Sequence, residues 1–147
     1  MRPKYHQGIF KPSHPEKYRG SQPIIYRSGL ELKFMRKLDA NPNVISWGSE
    51  SIIIPYPDPF TGKLRRYFVD NHVVMKDPKT GEIRKYLIEI KPLSQCSAPK
   101  VKRQTKSTLF QQAAWVKNQA KWKAATEWCT KRGDIKFMLI TEKDLGN

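Results

Sequence analysis

The sequence predicts an α/β fold, a mixed sheet with helices packed on it. Three observations carry this. Hydrophobic periodicity changes along the chain in the order helix, strand, strand, strand, helix, strand. A strong turn signal, Asp77-Pro78-Lys79-Thr80-Gly81-Glu82, joins two strand-like runs into a hairpin. At 147 residues, 38% hydrophobic and with four tryptophans, the chain suits one core rather than several or none.

Residues 1–25 hold Pro3, Pro12, Pro15 and Pro23, the basic residues Arg2, Lys4, Lys11, Lys17 and Arg19, and the acid Glu16. With no sustained period, this stretch reads as an extended basic arm ahead of a single domain over 26–147. Ser28 is a good N-cap, Glu31 stands three residues on, and Leu30, Phe34 and Leu38 repeat at helical spacing until Asn41-Pro42 stops the helix. Val44-Ile45 and Ser51 to Ile54 read as a strand rich in β-branched residues and ended by Pro55. Residues 56–62 read as a turn region, and Leu64 to Lys76 and Ile83 to Ile90 as the hairpin strands. From about Leu109 a long helix runs to Arg132, with Trp115, Trp122, Ala125 and Cys129 on one face and Gly133 as its stop. Ile135 to Thr141 is a last strand.

The 28 Lys and Arg against 13 Asp and Glu give a net charge of +15, which favours a polyanionic partner. The longest aliphatic run, Ile52-Ile53-Ile54, is far below the roughly 18–20 residues of a spanning helix, so no membrane partner is expected. The N-terminus lacks the apolar region of a secretory signal. Cys96 and Cys129 form no CxxC pattern, which leaves out a disulfide framework and a zinc knuckle. Residues 92–126 contain no Asp or Glu but seven basic residues, among them Lys100, Lys102, Arg103 and Lys106, a lysine-rich loop suited to clamping phosphates without reading bases.

Most acids fall in turns or at helix ends, where solvation accounts for them. Asp70, in Tyr67-Phe68-Val69-Asp70, and Glu89, in Leu87-Ile88-Glu89-Ile90-Lys91, fall inside apolar strands, where a carboxylate must be solvated, paired or metal-bound. A turn centred near Lys79 and Thr80 pairs residues whose numbers sum to about 159, which sets Asp70 opposite Glu89. A slip of one residue would turn Asp70 to the other face. Period-two alternation puts Lys91 on the face of Glu89. Two carboxylates and a few waters are what Mg²⁺ accepts, and a lysine beside such an ion suits phosphodiester hydrolysis.

Asp70, then Glu89-Ile90-Lys91 on the next strand, preceded by Glu31 on a first helix, resembles the PD-(D/E)xK nuclease superfamily. YRSGLE (26–31), NPNVISWGSE (41–50), RRYFVDN (65–71), YLIEIKP (86–92), KWKAA (121–125) and KRGDIKFMLITE (131–142) together resemble the head-completion nucleases of large tailed phages. A transposon end-cleaving endonuclease subunit is similar at greater distance. The resemblance implies a restriction-endonuclease-like mixed sheet flanked by helices and a Mg²⁺-dependent DNA endonuclease, with Mn²⁺ as a substitute. It also implies action before tail joining, in the host cytoplasm or the virion. Glu31, Asp70 and Glu89 match the acidic metal-site positions and Lys91 the catalytic lysine. The superfamily has Pro before the aspartate where this chain has Val69, and that proline contributes backbone shape rather than a ligand. Implied partners are double-stranded DNA, its ends or branched forms, and portal or neck proteins of the phage.

Blander readings stand beside these. Ser28-x-x-Glu31 is also a capping-box spacing. Glu50 reads as a solvated strand start or a support beside the site, and His72 as a packed residue or a proton-transfer group. The tryptophans read as helix packing rather than a stacking platform. Asn118 shares their face, and Gln111 or Gln112 stands where it meets the site. The competing function is a non-catalytic DNA- or portal-binding virion assembly protein. A basic RNA-binding module leaves the strand acids unexplained.

Overall fold

The computed structural model describes residues 7–146; the expectations on Arg2, Pro3 and Lys4 lie outside them. The elements are β1 (Gly8–Phe10), a 3-10 turn (Pro15–Lys17), β2 (Ile24–Tyr26), α1 (Gly29–Ala40), β3 (Val44–Ser49), β4 (Ile53–Pro57), β5 (Leu64–Phe68), β6 (Asn71–Lys76), β7 (Ile83–Ile90), a 3-10 turn (Leu93–Gln95), α2 (Lys106–Arg132) and β8 (Ile135–Ile140). The central sheet has the order β3-β6-β7-β8, antiparallel except for the parallel β7–β8 pair that α2 connects. Two small antiparallel sheets, β1-β2 and β4-β5, stand beside it.

α1 begins where expected: the Ser28 side chain accepts the Glu31 N–H at 3.1 Å. α2 starts earlier than expected, at Lys106, because Thr105 and Thr108 form a reciprocal capping box. Lys106 is therefore the first residue of a helix, not part of a loop. The helix ends at Gly133, whose φ of 79° lies in the left-handed region.

Two expectations are corrected. The runs at 44–45 and 51–54 belong to two strands, and Pro55 does not end the second. β4 pairs on one side only, with β5, so its open edge tolerates Pro55 and Pro57. Nor is Leu64 to Lys76 one strand: residues 64–68 pair with β4, whereas residues 71–76 pair with β3 and β7.

The basic segment is not an extended arm from residue 8 onward, and the boundary expected between residues 25 and 26 falls inside β2. Phe10, Tyr18 and Ile24 are core residues, and Phe10 and Tyr18 pack edge-on to the buried Trp47 with ring centroids 5.9 and 4.9 Å away. Polar bonds finish the attachment. Buried Asp39 accepts the N–H groups of Ser13 and His14 at 2.8 and 3.0 Å. Lys17 Nζ donates to the carbonyls of Leu38, Asp39 and Asn41 at 2.7–2.9 Å, satisfying the C-terminal end of α1 with a cation.

Two apolar clusters face each other across the central sheet. One joins α1 and the N-terminal segment to Trp47, Val73, Ile88 and Ile90; the other joins α2 and the β4-β5 pair to Val69, Leu87 and Ile135. β7 separates them, sending Ile88 and Ile90 to the first and Leu87 to the second.

Replacing Lys17 with Met leaves three carbonyls without their donor and is expected to lower the thermal unfolding midpoint by roughly 3–6 °C. Deleting residues 1–23 is expected to abolish cooperative melting followed by circular dichroism. An unchanged melt of the shortened chain would restore the detached-arm reading.

Candidate active site

The acids meet where the chain changes sheets. Val69, buried, and Asp70 form the joint between β5 and β6, so Asp70 stands just outside a strand rather than within one. The joint is pinned by Val69 N–H to the Ile52 carbonyl at 3.1 Å and by Glu50 N–H to the Asp70 carbonyl at 3.0 Å. Glu50 makes the second bond from a left-handed backbone with φ of 53°, a conformation that costs a non-glycine residue energy. Glu50 thus touches Asp70 through its backbone, while its side chain pairs with Arg27.

The β6–β7 pairs run from Asn71–Ile88 to Lys76–Ile83, each summing to 159, the register that the turn predicted. Asp70 lies one step beyond the last pair, Asn71–Ile88, close enough to Glu89 for the two charges to act on each other. Asp70 Oδ2 accepts the Ile90 N–H at 2.8 Å. Glu89 is buried on the α2 side of β7, in line with Leu87: Tyr67 Oη donates to its Oε1 at 2.8 Å, and Lys91 Nζ lies 3.8 Å from its Oε2. Glu31 enters from the first turn of α1, with Oε2 accepting the Arg27 N–H at 3.0 Å. Only half of the expected capping box forms: Ser28 accepts the Glu31 N–H, but the Glu31 carboxylate takes the Arg27 N–H rather than that of Ser28, and its charge acts on Asp70 and Glu89.

The electrostatics follow from burial and like charge. Burial, then the Glu89 charge, pushes the Asp70 carboxyl well above its usual range; the Ile90 N–H opposes this, Glu31 adds to it, and Lys91 lowers it. Burial also raises Glu31 against the Arg27 N–H and guanidinium, helped by Glu50 and Glu89. Arg27 ties Glu50 at 2.7 Å. Among the described residues, no three His, Cys, Asp or Glu side chains already enclose a metal position. Each of the three carboxylates rests instead on protein donors, which hold mutually repelling groups apart.

Two residues at this site escaped the sequence reading. Tyr67 orients Glu89. Lys121 of α2 places its ammonium 5.5 Å from the Tyr67 ring centroid and 5.8 Å from that of Tyr56, and burial lowers its pKa while the Glu89 charge opposes that shift. The signal was present: Lys121, Ala125 and Cys129 are spaced by four, which puts a lysine on an apolar stripe.

Other candidates lie elsewhere. His72 has Lys85 and Arg132 as its charged neighbours, not the carboxylates. Gln111 and Asn118 line a cleft beside the site, whose walls do not include Gln112. Lys100, Lys102, Arg103 and Lys106 are exposed.

Comparison with known proteins identifies the family. The head completion nuclease of Enterobacteria phage T4 is 41% identical over 149 residues, spanning 95% of this chain and 93% of that protein. A family described as TnsA-like endonuclease N terminal matches residues 41–142, from the strand before the site to the end of β8. With its mixed sheet, two helices and acids at the sheet end, the chain belongs to this TnsA-like endonuclease family, which has the restriction-endonuclease-like fold.

Proposed function

We propose that the protein is a Mg²⁺-dependent DNA endonuclease that acts in phage head completion, at the stage when a filled head is made ready for its tail. The carrying observation is the opposed pair Asp70 and Glu89, with Lys91 on the Glu89 side, set into a chain of net charge +15. The likeness to a head completion nuclease over nearly the whole chain supports a nuclease role in head completion; to it the proposal adds double-stranded DNA as substrate, portal or neck proteins as neighbours, and the host cytoplasm or the virion as the setting.

The donor set fits a hard divalent cation. Every side-chain donor is a carboxylate oxygen, and Mg²⁺ keeps several waters while taking only one or two protein carboxylates, so a closed shell of three acids is not required. Asp70 and Glu89 would hold it, with Glu31 adjoining, and Mn²⁺ would substitute. The ion supplies polarisation of the phosphate and an acidified bound water.

The chain's own residues do the remaining work. Tyr67 fixes one oxygen of Glu89 and leaves the other toward Lys91. Lys91 orients the attacking water and stabilises negative charge as it develops on the phosphate. Lys121 brings a second ammonium to the same acids from α2. Lys100, Lys102, Arg103 and Lys106 attract the DNA backbone, which gives salt-sensitive binding without base readout.

Purified protein is expected to cut plasmid DNA with Mg²⁺ and not in EDTA. Asp70→Asn and Lys91→Ala are each expected to reduce cleavage at least ~100-fold while DNA binding persists. Binding without cleavage in either Mg²⁺ or Mn²⁺ would leave the non-catalytic assembly role.

Stability gives a second readout. The raised Asp70 pKa contributes stability that is fully present below the unfolded carboxyl value and lost as pH rises through the folded value. In EDTA, Asp70→Asn is therefore expected to melt ~3 °C above the unmodified chain at pH 8, with the gap closing toward pH 4. Mg²⁺ is expected to raise the midpoint of the unmodified chain but not that of the variant. A pH-independent gap, or equal Mg²⁺ shifts in both proteins, would contradict the carboxylate assignment.

A further inference from the structure

A cleft of about 860 Å³ lies between the segment that follows Lys91 and the first half of α2. Gln95 and Ser97 line one side and Phe110, Trp115 and Asn118 the other, with Lys100 and Lys106 also in its walls. The cleft adjoins the active site at both walls. Gln95 follows Lys91 by four residues, and Cys96, between the lining residues Gln95 and Ser97, feels the charges of Glu142 and Lys91. On the helix, Gln111, Ala114, Asn118 and Lys121 are spaced by three, four and three, so one face of α2 runs from the cleft to the carboxylates over roughly 15 Å.

The lining has a consistent chemistry. No acid occurs from residue 92 to 126, and the nearest one to the first wall, Glu142, is tied to the Leu93 N–H at 2.6 Å. Phe110 is 78% exposed. A single exposed aromatic is ordinary. Here it shares a cleft with a second one, since Trp115 lines the same space and is held edge-on to Trp122 at 6.1 Å and 83°. Aromatic faces combined with lysines bind unpaired bases and their backbone. The cleft has the size of a small-molecule site, room for a few unstacked nucleotides and too small for a duplex.

We infer that the cleft between residues 94–100 and the start of α2 binds an unpaired DNA strand next to the cutting site, its bases stacked on Phe110 and Trp115, so that the preferred substrate is duplex DNA carrying a single-stranded stretch. The inference rests on the nuclease reading for its biological use, but the binding it predicts is measured without cleavage.

The test is fluorescence anisotropy in EDTA with the full chain and three labelled DNAs: a blunt duplex, the same duplex with a single-stranded extension, and one whose extension is abasic. The extension is expected to tighten binding about tenfold. The abasic extension, which keeps the phosphates, is expected to give little of that gain. Phe110→Ala, a change at an exposed position, is expected to remove most of the gain and leave blunt-duplex binding within about twofold. Equal binding of all three DNAs would overturn the inference and leave the cleft to a protein segment. A gain that survives with abasic DNA or in Phe110→Ala would overturn it in favour of general phosphate attraction. Tailed-DNA preference without any Mg²⁺-dependent cutting would refute the nuclease reading alone, and cutting without tailed-DNA preference would refute this inference alone.

Discussion

Two carboxylates set opposite each other at the end of a sheet repel, and each loses hydration by lying there; the rest of the site is arranged around holding them. Asp70 is kept by the Ile90 N–H, and Glu89 by the Tyr67 hydroxyl with Lys91 nearby. These bonds reduce the repulsion without cancelling it, and burial together with the Glu89 charge pushes the pKa of the Asp70 carboxyl upward. An apolar pair at these positions would be the more stable solution. The charges are kept, next to a lysine, in a chain of net charge +15.

The change of sheet at Val69 and Asp70 is what makes this geometry possible. A continuous strand would keep Tyr67 and Asp70 in one ladder with the same partners. Because β5 pairs with β4 and β6 with β3 and β7, Tyr67 approaches Glu89 from a separate sheet. The left-handed Glu50 and its bond to the Asp70 carbonyl secure the bend from the other side. β7 carries the second half of the burden: its Ile88 and Ile90 lock into the α1 cluster, so Glu89 and Lys91 must face α2.

The long helix runs from the cleft to Lys121 beside Tyr56 and Tyr67. Buried Trp122, Ala125 and Cys129 fix its C-terminal half on the sheet, and its N-terminal half, with Phe110 exposed, lies along the cleft. The field of a +15 chain draws a polyanion in over a distance of about a Debye length, some 8–10 Å. Short-range contacts then decide where the strand lies.

The sequence by itself determined whatever depends on neighbours along the chain. The 159 register followed from one turn and holds from Asn71–Ile88 to Lys76–Ile83, so the nearness of Asp70 to Glu89 was legible, as were the Ser28 cap and the Gly133 stop. Only the tertiary structure decided matters that depend on partners far away in sequence. Local periodicity cannot show that residues 64–68 and 71–76 choose different strands, nor that Pro55 sits on an open edge. The basic N-terminal segment looked unstructured because its stabilising partners, Asp39, Trp47 and the carbonyls ending α1, lie some 20 or more residues away. Tyr67 and Lys121 became part of the site for the same reason: each reaches Glu89 across a gap in sequence that packing closes and periodicity does not record.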